Sequence, residues 1–316
     1  METNKQPKIA VLIPCYNEEA AVGKVIDDFK QQLPNADIIV FDNNSTDRTD
    51  PIAREHGAQV IPEPRQGKGF VVDTMFNLPG YDLYIMVDGD DTYPAESVHE
   101  LIEPVLNGQA DMAVGARLSD YTDQSFRNLH VMGNKLVRFC INKIMGSDLN
   151  DILSGYRVFN RRTLQTIPIV SSGFEIETEL TIQTLYYQRK IVEVQVPYRQ
   201  RPAGSVSKLH TFRDGFRVLW KLFSLYRSLK PLTFFGGIGL LLFILGLLVG
   251  YLPIHDYFTN PDHYVEHVPS AILAAGLILL SWLFVFTGLL LHMMNRRFRE
   301  LHNVLTRSDT AFTRYY

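Results

Sequence analysis

The chain has 316 residues, and 31 Lys and Arg stand against 34 Asp and Glu, a formal net charge of -3. That balance gives no reason to expect a nucleic-acid partner, and none is expected. Two cysteines, Cys15 and Cys140, with no Cys-x-x-Cys and no Cys/His cluster, exclude a disulfide framework and a zinc site.

At roughly 150 residues per domain, the length corresponds to about two domains. The opening stretch METNKQPKIAVLIP has a short apolar run followed by Asn17-Glu18-Glu19, which does not read as a signal peptide. The N-terminal part is therefore expected in the cytosol, with both thiols reduced. From Lys8 to about Val196, strand-like and helix-like stretches alternate. Ile9–Ile13, Asp37–Phe41, Ala58–Ile61, Leu83–Val87, Met112–Gly115 and Ile191–Val196 are short, apolar and mostly β-branched. Glu18–Gln31, Asp47–His56, Lys68–Phe76, Ala95–Leu106, Phe126–Ile144 and Phe174–Gln188 read as helices. This order predicts an α/β domain with a mostly parallel, Rossmann-like sheet. Ligands of such sheets bind beyond the carboxyl ends of the strands.

Three strand ends are polar. The first gives Pro14-Cys15-Tyr16-Asn17-Glu18, the second Asp42-Asn43-Asn44-Ser45-Thr46-Asp47, and the fourth Asp88-Gly89-Asp90-Asp91. Carboxylates crowded after a buried strand repel one another, and a divalent cation relieves that repulsion. Hard oxygens suit Mg²⁺ or Mn²⁺, bound through one or two carboxylates and substrate phosphates. Gly89 is expected to let the loop turn tightly. A solvated turn is the competing reading of Asp-x-Asp. Gly67-Lys68-Gly69 matches no phosphate-loop pattern; it is either a flexible turn or a backbone and lysine contact to diphosphate. Phe126–Ile144 is expected to pack on the sheet. Glu175, Glu177 and Glu179 suit either a base or second metal contact, or a helix start that complements the helix dipole.

The C-terminal third changes character. Leu232–Leu252 and Ser270–Leu291 are each about as long as a membrane span. Residues 231–253 and 268–295 hold no Asp, Glu, Lys or Arg. The connector Pro253–Pro269 lacks Lys and Arg. Arg213, Arg217, Lys221, Arg227 and Lys230 precede the first span, and Arg296, Arg297, Arg299 and Arg307 follow the second. The positive-inside rule predicts both termini in the cytoplasm and a short connector outside. His210–Lys230 reads as an amphipathic lead-in that lies in the headgroup layer or packs on the soluble domain. The expected organisation is a domain over 1–209, an interfacial region over 210–230, a membrane hairpin over 231–295 and a basic tail over 296–316.

On these strand ends the sequence resembles the inverting family 2 glycosyltransferases with the GT-A fold, and within them the polyprenyl-phosphate sugar transferases. The resemblance covers about residues 7–210. It implies that Pro14, Tyr16, Asn17 and Glu18 line the nucleotide site and that Asp42 reads the base. Asp88 and Asp90 match the metal-binding Asp-x-Asp, with Asp90 the direct ligand. Gly115-Ala116-Arg117 matches a stretch whose arginine faces phosphate. Ser154-Gly155-Tyr156-Arg157, with Asp151 before it, matches the acceptor-side segment. Arg201, Ser205 and Lys208 match a segment that closes over the site near the membrane. The Gln-x-x-Arg-Trp motif of processive members is absent, since neither Trp220 nor Trp282 follows an arginine. The Glu-Asp dipeptide of the usual catalytic base is absent too.

The expected reaction is transfer of one sugar, with inversion, from a nucleotide-diphosphate sugar to a membrane polyprenyl phosphate. The donor is expected to be UDP-glucose or UDP-N-acetylglucosamine. A phosphate nucleophile is mostly ionised at neutral pH, because its second pKa is about 6, so a strong base is less needed than for a sugar hydroxyl. Asp90, Asp151 and Arg157 are the expected catalytic residues. Lys68, Asp88 and Gly89 join Pro14, Tyr16, Asn17, Glu18 and Asp42 at the nucleotide. Arg117, Arg157, Arg201, Ser205 and Lys208 are candidates for the acceptor phosphate. Two other readings stay open: transfer to a sugar hydroxyl of a lipid-linked acceptor, with Asp151 or Glu177 as base, and a non-catalytic nucleotide-sugar-binding assembly protein. The oligomeric state, a homo-oligomer included, is left open.

Overall fold

The computed structural model describes residues 6–118, 127–173, 175–202, 220, 222–262 and 264–312, with the side chains of 118, 127–134, 302, 303 and 305–312 outside that description. Ser205, Lys208 and most of the 210–230 lead-in fall outside it; residues 222–229 are helical. The chain divides into two compact units, 1–222 and 223–316.

The first unit is built on a seven-stranded sheet of order β3-β2-β1-β4-β6-β5-β7. The strands are β1 Ile9–Cys15, β2 Asp37–Asp42, β3 Gln59–Pro62, β4 Leu83–Met86, β5 Met112–Leu118, β6 Arg157–Asn160 and β7 Ile191–Pro197. β1 pairs in parallel with β2 and β4, β2 with β3, and β5 with β7. β6 runs antiparallel between β4 and β5. Ala10 to Ile13 on β1 and Leu83 to Met86 on β4 are buried, as strands covered on both faces must be.

Helices α1 Val22–Gln32, α2 Thr49–Glu55, α3 Lys68–Phe76, α4 Val98–Leu106, α5 Arg127–Met145, α6 Arg161–Thr166 and α7 Ile176–Tyr186 connect and cover the strands. On α1, Val22, Val25, Ile26 and Phe29 are buried at helical spacing against Val11, Ile13 and Val40. A second cluster on the other face gathers Leu12, Phe41, Val72, Met75, Met86 and Leu180. All six expected strands are present. β6 is an addition: its sequence Arg-Val-Phe-Asn is too short and too polar to stand out by periodicity.

The second unit contains α8 Pro231–Thr259 and α9 Val268–Phe312. Over Pro231–Thr259 and Val268–Leu301 the best windows reach mean hydropathies of 2.5 and 2.3, so both helices are long and apolar enough to cross a membrane. Pro231 opens α8 where an amide hydrogen is not needed. α8 continues through Pro253 to Thr259, into the stretch expected to be connector. Gly239 and Gly246 lie against α9, where a Cβ would come within 2.8 Å of Val285 and of Ile278. Small residues let two apolar helices approach closely.

Candidate active site

The carboxyl ends of β1, β2 and β4 lie side by side, since β4 and β2 flank β1 in parallel. Beyond β1 the chain bends at Asn17, whose φ of 53° is left-handed. Asn17 accepts from the Thr46 amide at 2.7 Å and its own amide donates to Ser45 at 2.9 Å. The Glu18 amide donates to Thr49 Oγ1 at 2.8 Å. These bonds tie the β1 and β2 loops together. Tyr16 is exposed, Pro14 half-buried, and Glu18 and Asp42 buried at the rim. Asn43 is pinned beneath them: its amide nitrogen donates to the carbonyls of Glu63 and Arg65, and its oxygen accepts from the Gly67 amide at 2.7 Å.

Asp88 and Asp90 follow β4. Asp90 is 4% exposed. Its Oδ1 accepts from the Thr92 hydroxyl at 2.6 Å and amide at 3.2 Å, and its Oδ2 lies 2.6 Å from Arg201 Nη2. Burial and then the charge of Asp88 push the Asp90 carboxyl above the usual range, against the pull of Arg201. Asp88 Oδ1 accepts from Lys68 Nζ at 2.6 Å, and Lys68 also reaches Glu177 Oε1 at 2.5 Å. Burial works against the Lys68 ammonium, but Asp88 and Glu177 outweigh it and hold its pKa above the usual lysine value. Cys15 lies below the cluster, its thiol raised first by burial and then by Glu18, Asp42, Asp88 and Asp90. Four acids thus act on one buried point.

The sharp turn after β4 is taken by Asp91, with φ 56°, and not by Gly89. Gly89 is needed for a different reason: a Cβ there would stand 2.5 Å from Cys15 Sγ. Gly67 and Gly69 likewise serve packing, because a Cβ on either would overlap the backbone carbonyls of Ser172 or Ser171. The Gly67 and Gly69 amides donate to Asn43 and to the Ser172 carbonyl, so the α3 start is a chain crossing, and its lysine faces carboxylates.

On the other side, Arg117 at the end of β5 grips Asp151 through Nε at 2.6 Å and Nη2 at 2.8 Å, and stands 5.4 Å from the Tyr198 ring centre. The roles expected for Arg157, catalytic and on the acceptor phosphate, do not fit its placement. Arg157 is fully buried, and its guanidinium donates to the carbonyls of Ser154, Ile152 and Glu177 and to Thr181 Oγ1. Burial lowers its pKa to about 10, still charged at neutral pH, with Glu177 the leading opposing charge. It braces the 152–157 loop against α7. In that loop Gly155 lies against the Asp88 carboxylate so closely that a Cβ would overlap it. The Tyr93 hydroxyl accepts from the Gly155 amide at 3.1 Å and from Ser154 Oγ at 3.2 Å. Tyr93, Thr92 and Asn43 organise the site, yet carry no sequence signal beyond their neighbourhood to the acids.

Among the described residues no group of three or more His, Cys, Asp or Glu side chains forms a ready metal cage. The donor set still fits a hard divalent cation that draws its other ligands from substrate phosphates, because Asp88 and Asp90 stand two residues apart after β4 and lie close enough for the charge of Asp88 to act on Asp90 and for both to act on Cys15. Such a cation would be held by Asp90 with Asp88 beside it, and would supply charge stabilisation to a leaving diphosphate.

Residues 10–167 match the model of Glycosyl transferase family 2. Glycosyltransferase AglJ of Haloferax volcanii is 29% identical over 293 residues, covering 92% of this chain and 95% of AglJ. The dolichyl-phosphate hexose transferase of the same organism is 32% identical over 207 residues, covering 66% of this chain and 89% of that protein. Glucosyl-3-phosphoglycerate synthase from Mycobacterium tuberculosis, crystallised with Mn²⁺, UDP-glucose and phosphoglyceric acid, superposes with a TM-score of 0.56 at 23% identity, over 69% of this chain and 79% of that one. That likeness shows a shared GT-A-like fold. With the acids clustered where the parallel strands end, the chain belongs to glycosyl transferase family 2 and is a glycosyltransferase related to polyprenyl-phosphate hexose transferases.

Proposed function

We propose that this enzyme transfers one sugar from a nucleotide-diphosphate sugar, UDP-glucose or UDP-N-acetylglucosamine, to a polyprenyl phosphate in the cytoplasmic leaflet. The observation that carries the reading is Asp90, buried at the end of β4 beside Asp88, in a chain with two helices of span length. An oxygen of the acceptor phosphate forms the new bond to the anomeric carbon as the bond to the β-phosphate oxygen breaks. The electron pair leaves with the nucleoside diphosphate, and the anomeric centre inverts. No proton has to move, because the attacking phosphate is already ionised.

In this reading Tyr16, Asn17, Glu18 and Asp42, with Pro14 and Gly89 behind them, shape the nucleotide pocket. Asp88 and Asp90 hold Mg²⁺ or Mn²⁺. Lys68 fixes Asp88 in place and does not itself reach for the diphosphate, since both its neighbours are carboxylates. Arg117, oriented by Asp151, faces the acceptor phosphate, with Ser205 and Lys208 as further contacts. The relative that acts on dolichyl phosphate and the neighbour crystallised with Mn²⁺ and UDP-glucose support the acceptor and the donor class. The positive-inside rule places the catalytic domain and both termini in the cytoplasm.

The test is a donor panel with full-length protein in detergent, a short polyprenyl phosphate, and Mn²⁺ or EDTA. The expected product is a polyprenyl-phosphate sugar of inverted configuration, lost in EDTA and restored by Mn²⁺ or Mg²⁺. Turnover that requires a lipid-linked sugar instead of polyprenyl phosphate would overturn the reading.

A further inference from the structure

Each carboxylate after β4 already has a cation of its own. Asp88 is answered by Lys68, which lies between Asp88 and Glu177 and is only 13% exposed as a side chain. Asp90 is answered by Arg201, 29% exposed, whose second nitrogen stands 3.9 Å from Glu18. The two cations differ in what they would leave behind. Withdrawing Lys68 would strand two acids at once, the partly buried Asp88 and the buried Glu177. Arg201 is the more exposed of the two cations, at 29% against 13% for Lys68. Its position is built into the backbone, because the Arg199 amide donates to the Thr92 carbonyl at 2.8 Å, in the loop that carries Asp90.

A guanidinium and a dication on the same carboxylate oxygen repel each other strongly. A diphosphate offers several anionic oxygens, and the planar fork of an arginine matches them as well as it matches a carboxylate. We infer that Arg201 holds the metal's place at Asp90 and yields it to an arriving nucleotide diphosphate, so that metal enters together with the nucleotide and not before it. The inference rests on the reading of Asp90 as the metal-binding carboxylate. It moves Arg201 from the acceptor side of the pocket to the donor side.

The test measures bound Mn²⁺ by the loss of the free-ion paramagnetic resonance signal, with the full chain in detergent at pH 8. Without nucleotide, Arg201→Ala should bind Mn²⁺ at least about tenfold more tightly than the unaltered chain, in line with the coupling of close charge pairs. Addition of UDP should shrink that difference. Lys24→Ala is the control: Lys24 pairs with Asp91 at 2.9 Å, so the variant removes the same charge without touching Asp90, and it should bind like the unaltered chain. Equal binding of bare Mn²⁺ by the Arg201→Ala and unaltered chains would overturn the inference while leaving the metal reading intact. An equal gain in Lys24→Ala would also overturn it, by reducing the effect to a general field. Absence of Mn²⁺ binding in every chain, with UDP present, would remove the metal reading and the inference with it.

Discussion

Asp151 receives Arg117 in a two-pronged grip, with Nε 2.6 Å from Oδ2 and Nη2 2.8 Å from Oδ1. Burial raises the cost of the Asp151 charge, but Arg117 outweighs it and holds the carboxyl below its usual range. A carboxylate so engaged is a weak base and a good clamp. Asp151→Asn is therefore expected to raise the KM for acceptor about tenfold and to lower kcat by less, with the pH profile between 6 and 9 unchanged in shape. Steady-state kinetics at several pH values check this. A loss of about a thousandfold in kcat with a lost acidic limb would restore the base role.

Burial and then the charge of Asp88 raise the Asp90 carboxyl above its ordinary range, against Arg201 and the Thr92 bonds. An isosteric Asp90→Asn should reduce turnover by about a thousandfold or more, because the strongest oxygen donor for a cation is gone. The same change should raise the melting temperature of the ligand-free protein by a few degrees, since burial and Asp88 disfavour the charged carboxyl while the Thr92 hydroxyl can still bond an amide oxygen there. Donor consumption and thermal unfolding measure the two effects. A drop in both would mean that Asp90 is mainly structural.

Arg157 is braced by the carbonyls of Ile152, Ser154 and Glu177. Arg157→Met fills most of the volume but leaves those buried acceptors without their donor, at a cost of about 3 kcal/mol. A lower unfolding midpoint, with a KM for acceptor that stays near normal in the folded fraction, is the expected outcome. A raised KM with unchanged stability would return Arg157 to the acceptor phosphate.

Glu63 lies buried after β3, where Arg65 holds it by side-chain bonds against the cost of burial, with further help from the Thr74 hydroxyl and the Arg65 amide; its pKa falls to about 2. A depressed acid contributes stability above its unfolded value, and that stability is lost as pH falls through the folded value. The contribution is about 2 kcal/mol after solvent screening at half-exposed Arg65. The unaltered chain should therefore be more stable than Glu63→Gln at pH 7, and the difference should vanish between about pH 5 and pH 2. Melting temperatures across that range check it, and a constant difference would rule it out.

Much of the first unit could be read from one dimension. The strands from Ile9, Asp37 and Leu83 are buried on both faces, so they are continuous apolar runs, and the acids after them are conspicuous by contrast. α3 begins and ends where its sequence expectation placed it, at Lys68 and Phe76. β6 was hidden, because it takes its place by pairing with β4 and β5 and its own residues do not alternate. Gly89 is present for the bulk of Cys15, a neighbour 74 residues earlier, and no local pattern reports that contact.

The sequence by itself determined which side chains can hold charge at the strand ends, and that two C-terminal segments are long and apolar enough to span a bilayer. Both follow from composition along the chain, since burial selects apolar runs and water selects what interrupts them. Only the tertiary structure decided which acid meets which cation. Arg157 and Arg117 are the same residue type and both act on Asp151, yet one is enclosed by backbone carbonyls and the other is gripped by that carboxylate. The energy of a charge depends on what surrounds it in three dimensions, and those surroundings come from residues scattered from Glu18 to Arg201.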